Sequence, residues 1–500
     1  MKKGPWALAW TALAVAALLF HLGAQIRVLD QPFDRSLGGV TSAAYYGQAA
    51  KTFAVHGLGR LRLVPMLFCE AGSTRTAFAY PNHPPWPHLL TYPAYRLLGG
   101  DEAALRLPIL GLILVLAAAF VGLLRREEGS HVATGLAFLL ASPMLLEYGL
   151  MVDAPMFSLA SLLPALWAFE NWLDRPSRGR FLIWMLAGLA SAGADWFGYF
   201  LTIPLAGVIL LRREPISSRL RQLAVLALPY LIGIGAWLLW ARWALGSERF
   251  REALDLFTVP MDATGAAGGG WAGAVGRFAL RGYTPMVLAL AAIGTVSSLC
   301  RRDARGRRIL VLLAAGLLPA LAFRSRAAVH EFWILQAAPG LAMAAAAGVG
   351  AIGRAARRAW VAPLLAAVAL ALSIRSGLEL RASYATDEFE TRGQAIDGFA
   401  SRHDIVFVPL ETSPLSFYCE ASLVTHVRDM AAFDRILRHL AAGPSSSSRW
   451  FFFSPEELGV NPDLAPLLGL MLPGTGIHVS TEGRGAWFEI DREKAYRRIG

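Results

Sequence analysis

Apolar runs of about 20 residues recur along most of this chain, and short clusters of arginine separate them. A helix needs about that length to cross the hydrocarbon core of a bilayer, because each residue advances it by only about 1.5 Å. Within that core the backbone N–H and C=O groups must find partners inside the segment, which forces such runs into helix. The pattern predicts a polytopic α-helical membrane protein. Hydrophobic residues make up 55% of the 500 and charged residues 17%, too apolar a balance for a soluble chain of this size. The net charge of +11 does not point to nucleic acid, because the arginines that produce it lie between the apolar runs.

Eleven spans are expected, at about 6–22, 105–124, 132–148, 153–172, 180–194, 197–211, 222–243, 283–299, 309–323, 332–352 and 361–376. Lys2 and Lys3 precede the first. A signal peptide starts the same way, but His21-Leu-Gly-Ala-Gln25 is a poor cleavage site, so an uncleaved helix is the expectation. With the N-terminus in the cytoplasm, every inner link is basic, from Arg125 and Arg126 through Arg301–Arg308 to Arg354, Arg357 and Arg358. The short outer links near 149–152 and 195–196 carry no Lys or Arg. That bias supports the count and the orientation together. Ala-, Arg- and Leu-rich composition with short loops suggests a bacterial inner membrane.

Three outer regions are long. The first is the loop 27–104, which belongs with a transmembrane domain at 1–376. It holds Asp34, an amphipathic run from Thr41 to Phe53 that includes Tyr46, and Tyr80-Pro-Asn-His-Pro-Pro85. The second, from about Ala244 to Gly282, contains Gly268-Gly-Gly270 and reads as a mobile loop. The third is the tail, 377–500. Helical spacing from Asp387 to Arg402 and strands at Asp404–Pro409, Arg449–Phe453, Gly476–Ser480 and Ala486–Ile490 make it a small extracytoplasmic α/β domain, with a lid or docking role. Of the three cysteines, Cys69 and Cys419 fall outside and Cys300 inside. The outer two are either a disulfide or unrelated thiols.

Ionisable residues at membrane depth are costly, so their distribution carries information. Glu147, Asp153, Asp195, His330 and Glu331 all sit at outer ends of spans, on the side of Asp34 and His83. Each has a purely structural alternative. Asp153, two residues before Pro155, fits a helix N-cap. Asp195 fits a turn or cap. His330 and Glu331 fit an interfacial polar pair beside Trp333. His83 fits a loop, and Asp34 a solvated charge. Arg324 and Arg326 breach the positive-inside pattern, and they fit either ligand binding or interfacial snorkelling. Convergence on one face favours a site there.

Several of these pieces, in this order, resemble the polytopic GT-C glycosyltransferases that take a sugar from a polyprenyl phosphate. The match is to the glycosyltransferase 39 and RgtA/B/C/D-like group, and more distantly to the lipid A aminoarabinose transferase. Tyr45-Tyr-Gly-Gln-Ala-Ala-Lys-Thr-Phe53 resembles the family's first-loop helix. His83-Pro-Pro85 with Gly99 and Ala103-Ala-Leu-Arg-Leu-Pro108 resembles its H-P-P…G…A-x-R-L-P. Asp153-Ala-Pro155 resembles the acidic start of the fourth span. Gly188…Asp195-Trp-Phe-Gly198…Pro204 resembles the G…T-K-G…P turn, and His330-Glu-Phe-Trp333 the late H-x-Y-W. The resemblance covers about residues 1–375 and has departures. Relatives carry Asp-Glu where Thr41-Ser42-Ala43 stands here, His83 replaces a Lys, and Asp195-Trp196-Phe197 replaces a turn that contains a cation.

The resemblance implies a membrane glycosyltransferase that moves a hexosyl or pentosyl group to a lipid, glycan or protein acceptor with inversion. It implies Asp34 as base, with Asp153 orienting the acceptor or sugar, or holding a metal with Asp34. It implies His83, Arg324, Arg326, His330 and Glu331 at the donor's phosphate and sugar, and Tyr46, Asp195 and Trp196 in support. No cofactor is required by the sequence, and no metal spacing is present. A transporter of lipid-linked precursors is the competing reading. It expects repeated halves and mid-membrane charges. A structural protein that docks through its tail is a third reading.

Overall fold

A computed structural model describes residues 7–499 except 36–38, 69–77, 80, 82, 126, 128, 248–249, 252–253, 255–269, 302, 384–387, 402–403, 409–412, 420–422, 428, 442–448, 455–461 and 480–484. The chain forms two compact units. The first comprises Met1–Asp30, Asn82–Pro87 and Arg106–Tyr384; the second comprises Gln31–Pro81, His88–Leu105 and Ala385–Gly500.

The first unit is helical. Among the described residues five helices are long and apolar enough to cross a membrane: Leu8–Ile26, Glu102–Leu124, Ile216–Leu245, Glu331–Ala356 and Val361–Ala382. A sixth follows if Trp271–Tyr283 and Pro285–Arg301, bent by 99°, form one span. Length and composition therefore do not reproduce the expected eleven. The remaining expected spans are interrupted, short or polar at one end. The 132–148 run breaks into Gly129–Leu140 and Pro143–Tyr148, where Ser142 caps the second helix through Leu145 N–H. The 197–211 run opens with a 3-10 turn, Trp196–Leu201, before Thr202–Leu210. Helix Ala154–Asp174 is buried along most of its length, so protein rather than lipid surrounds it.

Small residues set the packing. A Cβ on Gly294 would lie 1.8 Å from the Ala344 carbonyl oxygen, and one on Gly348 would lie 2.0 Å from that of Leu290. Helices Pro285–Arg301 and Ala338–Ala356 can approach this closely only because both positions lack a side chain. At the other end a polar knot ties three helices. Arg381 donates to the Ala24 carbonyl at 2.8 Å, to Gln25 Oε1 at 3.0 Å and to the Leu146 carbonyl, and it lies 3.9 Å from the buried Glu147 carboxylate.

The second unit holds much of the segment 27–104 together with the tail. The amphipathic run is helical, as an α-turn Gly39–Thr41, a π-turn Ser42–Gly47 and a helix Gln48–His56. It stops at Gly57, whose φ of 83° suits glycine. Strands β1 (Met66–Phe68) and β2 (Phe78–Ala79) pair antiparallel. In the tail, β3 (Ile405–Val408), β4 (Leu423–His426), β5 (Trp450–Ser454), β6 (His478–Val479) and β7 (Ala486–Glu489) form one sheet, ordered β4-β3-β5-β7-β6. β3 runs parallel to β4 and β5, and β7 is antiparallel to β5 and β6. Side chains alternate between faces. Phe407, Trp450, Phe452 and Phe488 pack with Phe433 and Leu437, while Val406, Val408, Phe451 and Phe453 pack with Ile396 and Leu415.

Loop and tail interlock within this unit. Phe33 N–H donates to the Tyr418 hydroxyl at 2.5 Å, and the Phe33 ring meets Phe417 edge-on at 5.4 Å. Lys51 donates to the Cys419 carbonyl. A Cβ on Gly47 would lie 2.6 Å from the Phe417 ring, so glycine is what lets that ring seat on the helix. Cys69, the other half of the disulfide alternative, lies outside the described residues.

Candidate functional site around His83 and Asp195

In the first unit two of the sequence-predicted residues, Asp153 and Asp195, act on a third, His83. Asp153 begins the helix Ala154–Asp174 with extended backbone, and its carboxylate accepts Ala154 N–H at 2.6 Å, with Pro155 in the first turn. The capping alternative for Asp153 is therefore realised. Asp195 joins the helix Arg178–Ala194 to the turn Trp196–Leu201, also with extended backbone, but its side chain makes no cap. Instead Asp195 Oδ1 lies 2.5 Å from His83 Nδ1. The Asp195 side chain is 1% exposed and that of His83 is 22% exposed. Burial disfavours a charged His83, but the Asp195 carboxylate, its hydrogen bond and the charge of Asp153 outweigh this and raise the imidazole pKa above its ordinary value. The two carboxylates thus favour the protonated form of His83.

The surrounding turns fix this geometry. A Cβ on Gly198 would lie 2.3 Å from the Ser191 carbonyl oxygen, so only glycine lets the 195–198 turn fold back on its helix. Trp196 meets Trp237 edge-on at 5.0 Å, and Phe197 packs on Trp333 at 4.9 Å. Gln336 donates to the Pro155 carbonyl at 2.6 Å. These contacts bring the Asp195 turn, the start of the Asp153 helix and the segment Glu331–Ala337 into one neighbourhood.

That segment carries a second charged pair. Arg281 Nη1 lies 2.8 Å from Glu331 Oε1, and the buried Tyr148 hydroxyl donates to Glu331 Oε2 at 3.4 Å. Arg281 belongs to the helix Trp271–Tyr283, which corrects the mobile-loop reading for that part of 244–282; residues 255–269 lie outside the described ones. The helix is amphipathic, and it is anchored by Trp271 Nε1 donating to the Ala320 carbonyl at 3.1 Å and by Tyr283 OH donating to that of Ile334 at 2.6 Å. Arg281 was not singled out in the sequence. Its signal was a cation close to a span on the side where the charge pattern of the sequence expects few.

The other expected residues are placed as follows. Arg324 is exposed over the Trp271 ring, 5.5 Å from its centre. Arg326 is exposed, and its carbonyl accepts His330 N–H at 3.0 Å. The His330 ring stacks on Phe332 with centres 5.1 Å apart. Tyr46 belongs to the second unit, where its buried ring stacks on His88 at 4.3 Å. Asp34 lies in the turn Phe33–Arg35 of the second unit, and its side chain is outside the described residues. Among the described residues no three His, Cys, Asp or Glu side chains gather as a metal site.

No protein-family model matches the chain, and no curated protein sequence does. Solved structures do match. ArnT from Cupriavidus metallidurans bound to undecaprenyl phosphate aligns with a TM-score of 0.66 at 14% identity, covering 98% of both chains. This chain has the GT-C fold. The GT-C likeness extends to ArnT in the apo state, with a TM-score of 0.62 at 15% identity over 97% of this chain and 98% of that one. It extends also to an Archaeoglobus fulgidus oligosaccharyltransferase in complex with Zn and sulfate, with a TM-score of 0.54 at 11% identity over 89% of this chain and 68% of that one. With the apolar helices, the GT-C fold makes the chain a multi-pass membrane protein.

Proposed function

We propose that this protein is a glycosyltransferase that moves a sugar from a polyprenyl phosphate to a cell-envelope acceptor at the outer face of a bacterial inner membrane. The observation that carries the reading is the His83–Asp195 pair beside Asp153, in a chain that shares its fold with a structure bound to undecaprenyl phosphate. Fold alone would not assign an activity.

In the reaction the acceptor oxygen attacks C1 of the sugar. The bond from C1 to the phosphate oxygen breaks with its electron pair going to the phosphate, and the acceptor proton passes to a carboxylate. A single displacement inverts C1. The growing charge on the phosphate needs cations and donors already in place. Imidazolium at His83 carries a proton on each nitrogen. Asp195 holds Nδ1–H, which fixes the ring so that Nε2–H can donate to a phosphate oxygen. Arg281, held by Glu331 and Tyr148, is a planar guanidinium suited to the same anion. Arg324, Arg326 and His330 are further cationic candidates. Asp153 holds the acceptor or sugar while capping its helix. The base is assigned to Asp34 on its place in the sequence.

The test is transfer of label from a polyprenyl-phosphate sugar in membranes that contain matched amounts of wild type, Asp34→Asn and Asp153→Asn. Loss of transfer in Asp34→Asn supports the base assignment. Transfer that survives in Asp34→Asn but fails in Asp153→Asn moves the base to Asp153. No transfer with any donor and acceptor favours a transporter.

A further inference from the structure

At the ends of the helices that the charge pattern assigns to the cytoplasm, the first unit contains a cavity of about 170 Å³. That is far more than one water needs. Its walls come from four places: Trp10 on Ala7–Ile26, His131 and Thr134 on Gly129–Leu140, Gly350 on Ala338–Ala356, and Ala359 and Pro363 at the start of Val361–Ala382.

The wall is open because position 350 has no side chain. A Cβ there would lie 2.7 Å from His131 Nε2 and 3.3 Å from Arg354 Nη1. An imidazole and a guanidinium therefore meet at the same glycine. Arg301, Arg305 and Arg354 all act electrostatically on His131, against Asp303 alone among the acids that do so. Arg305 is engaged by Glu127, and Asp303 caps its own helix through Gly306 N–H. The rim residue Ala359 follows Arg357 and Arg358, both exposed, and precedes the exposed Trp360. Apolar walls, a cationic rim and an indole at the interface suit one molecule: a lipid with an anionic head.

We propose that this cavity binds an anionic phospholipid, with the phosphodiester at Arg354, Arg357 and Arg358 and the glycerol end of the chains against Trp10 and Pro363. The site is separate from the outer charged groups, so it does not depend on the transferase reading. Free phosphate shares the head-group chemistry but would gain nothing from the apolar wall.

The experiment is native mass spectrometry of the full-length protein in detergent, titrated separately with phosphatidylglycerol, phosphatidylcholine and inorganic phosphate. The expected result is one tightly held phosphatidylglycerol, retained about tenfold better than phosphatidylcholine. The exposed double variant Arg354→Gln/Arg357→Gln should lose that preference, and Ala359→Phe, at the mouth, should weaken both lipids. Equal retention of the two lipids by wild type, unchanged selectivity in the arginine double variant, or unchanged retention of both lipids in Ala359→Phe would overturn the proposal. So would competition by inorganic phosphate at the same concentration as the lipid.

Discussion

His83 Nδ1 and Asp195 Oδ1 lie 2.5 Å apart, one on the loop before the Trp86–Leu98 helix and the other on the turn after Arg178–Ala194. The pair sets the charge of the proposed phosphate donor. Because the folded pKa of His83 is raised, its positive charge is fully present below the ordinary histidine value and is lost as pH rises through the folded one. Transfer should therefore fall at a pH above the ordinary histidine value. Asp195→Asn removes the carboxylate and should move that fall to lower pH, with a rate loss of about tenfold or more. A pH–rate profile of both proteins in the same membranes measures it. An unchanged alkaline limb would remove His83 from that role.

Arg281 and Glu331 should behave as a unit. Glu331 is buried, so Arg281→Ala leaves an uncompensated carboxylate and should lower the unfolding temperature. The double variant Arg281→Leu/Glu331→Leu should recover much of the lost stability but none of the lost transfer. Thermal unfolding and labelled-sugar transfer, measured on all variants, separate the two effects.

Arg381 is the sharper test of the fold. It satisfies two carbonyls and Gln25, and it lies 3.9 Å from the buried Glu147 carboxylate. Arg381→Ala should cost about 3–5 kcal/mol, the range for breaking a buried pair. Arg375→Ala, in a fully exposed pair on the same helix, should cost little. Protein yield and unfolding temperature report the contrast.

In the tail, Asp404 accepts from Ser401 N–H and Oγ and from Arg449 N–H and Nη2. Burial opposes its ionisation, but these bonds prevail and lower its pKa. The stability it contributes is therefore present above the ordinary carboxylate value and is lost as pH falls through the folded one. Fluorescence of the full chain should show an acid transition that moves to higher pH in Arg449→Ala.

The membrane class, the amphipathic run 41–53 and most strands of the tail were legible because burial imposes a period on the sequence. β4 was missed. Leu423-Val-Thr-His426 is too short to show one, and its parallel neighbour β3 fixes it instead. The one-sided placement of Asp153, Asp195 and Glu331 was also legible, since each sits at the end of an apolar run, and the loop that carries His83 follows from the same topology. Their partners were not. Nothing near Asp195 in sequence announces His83, 112 residues away, and Arg281 finds Glu331 across 50 residues. The span count was least legible. Helices enclosed by other helices can be short, broken or polar at one end without exposing that to lipid.

In the proposed reaction His83, oriented by Asp195, serves a polyprenyl phosphate as its sugar departs. The most direct measurement compares wild type, His83→Ala and His83→Lys for single-turnover transfer from a labelled polyprenyl-phosphate sugar. His83→Ala should lower the transfer rate by about a hundredfold. His83→Lys, which restores a cation beside Asp195, should recover a substantial part of that loss. Wild-type transfer rates in His83→Ala, in protein that folds normally, would contradict it.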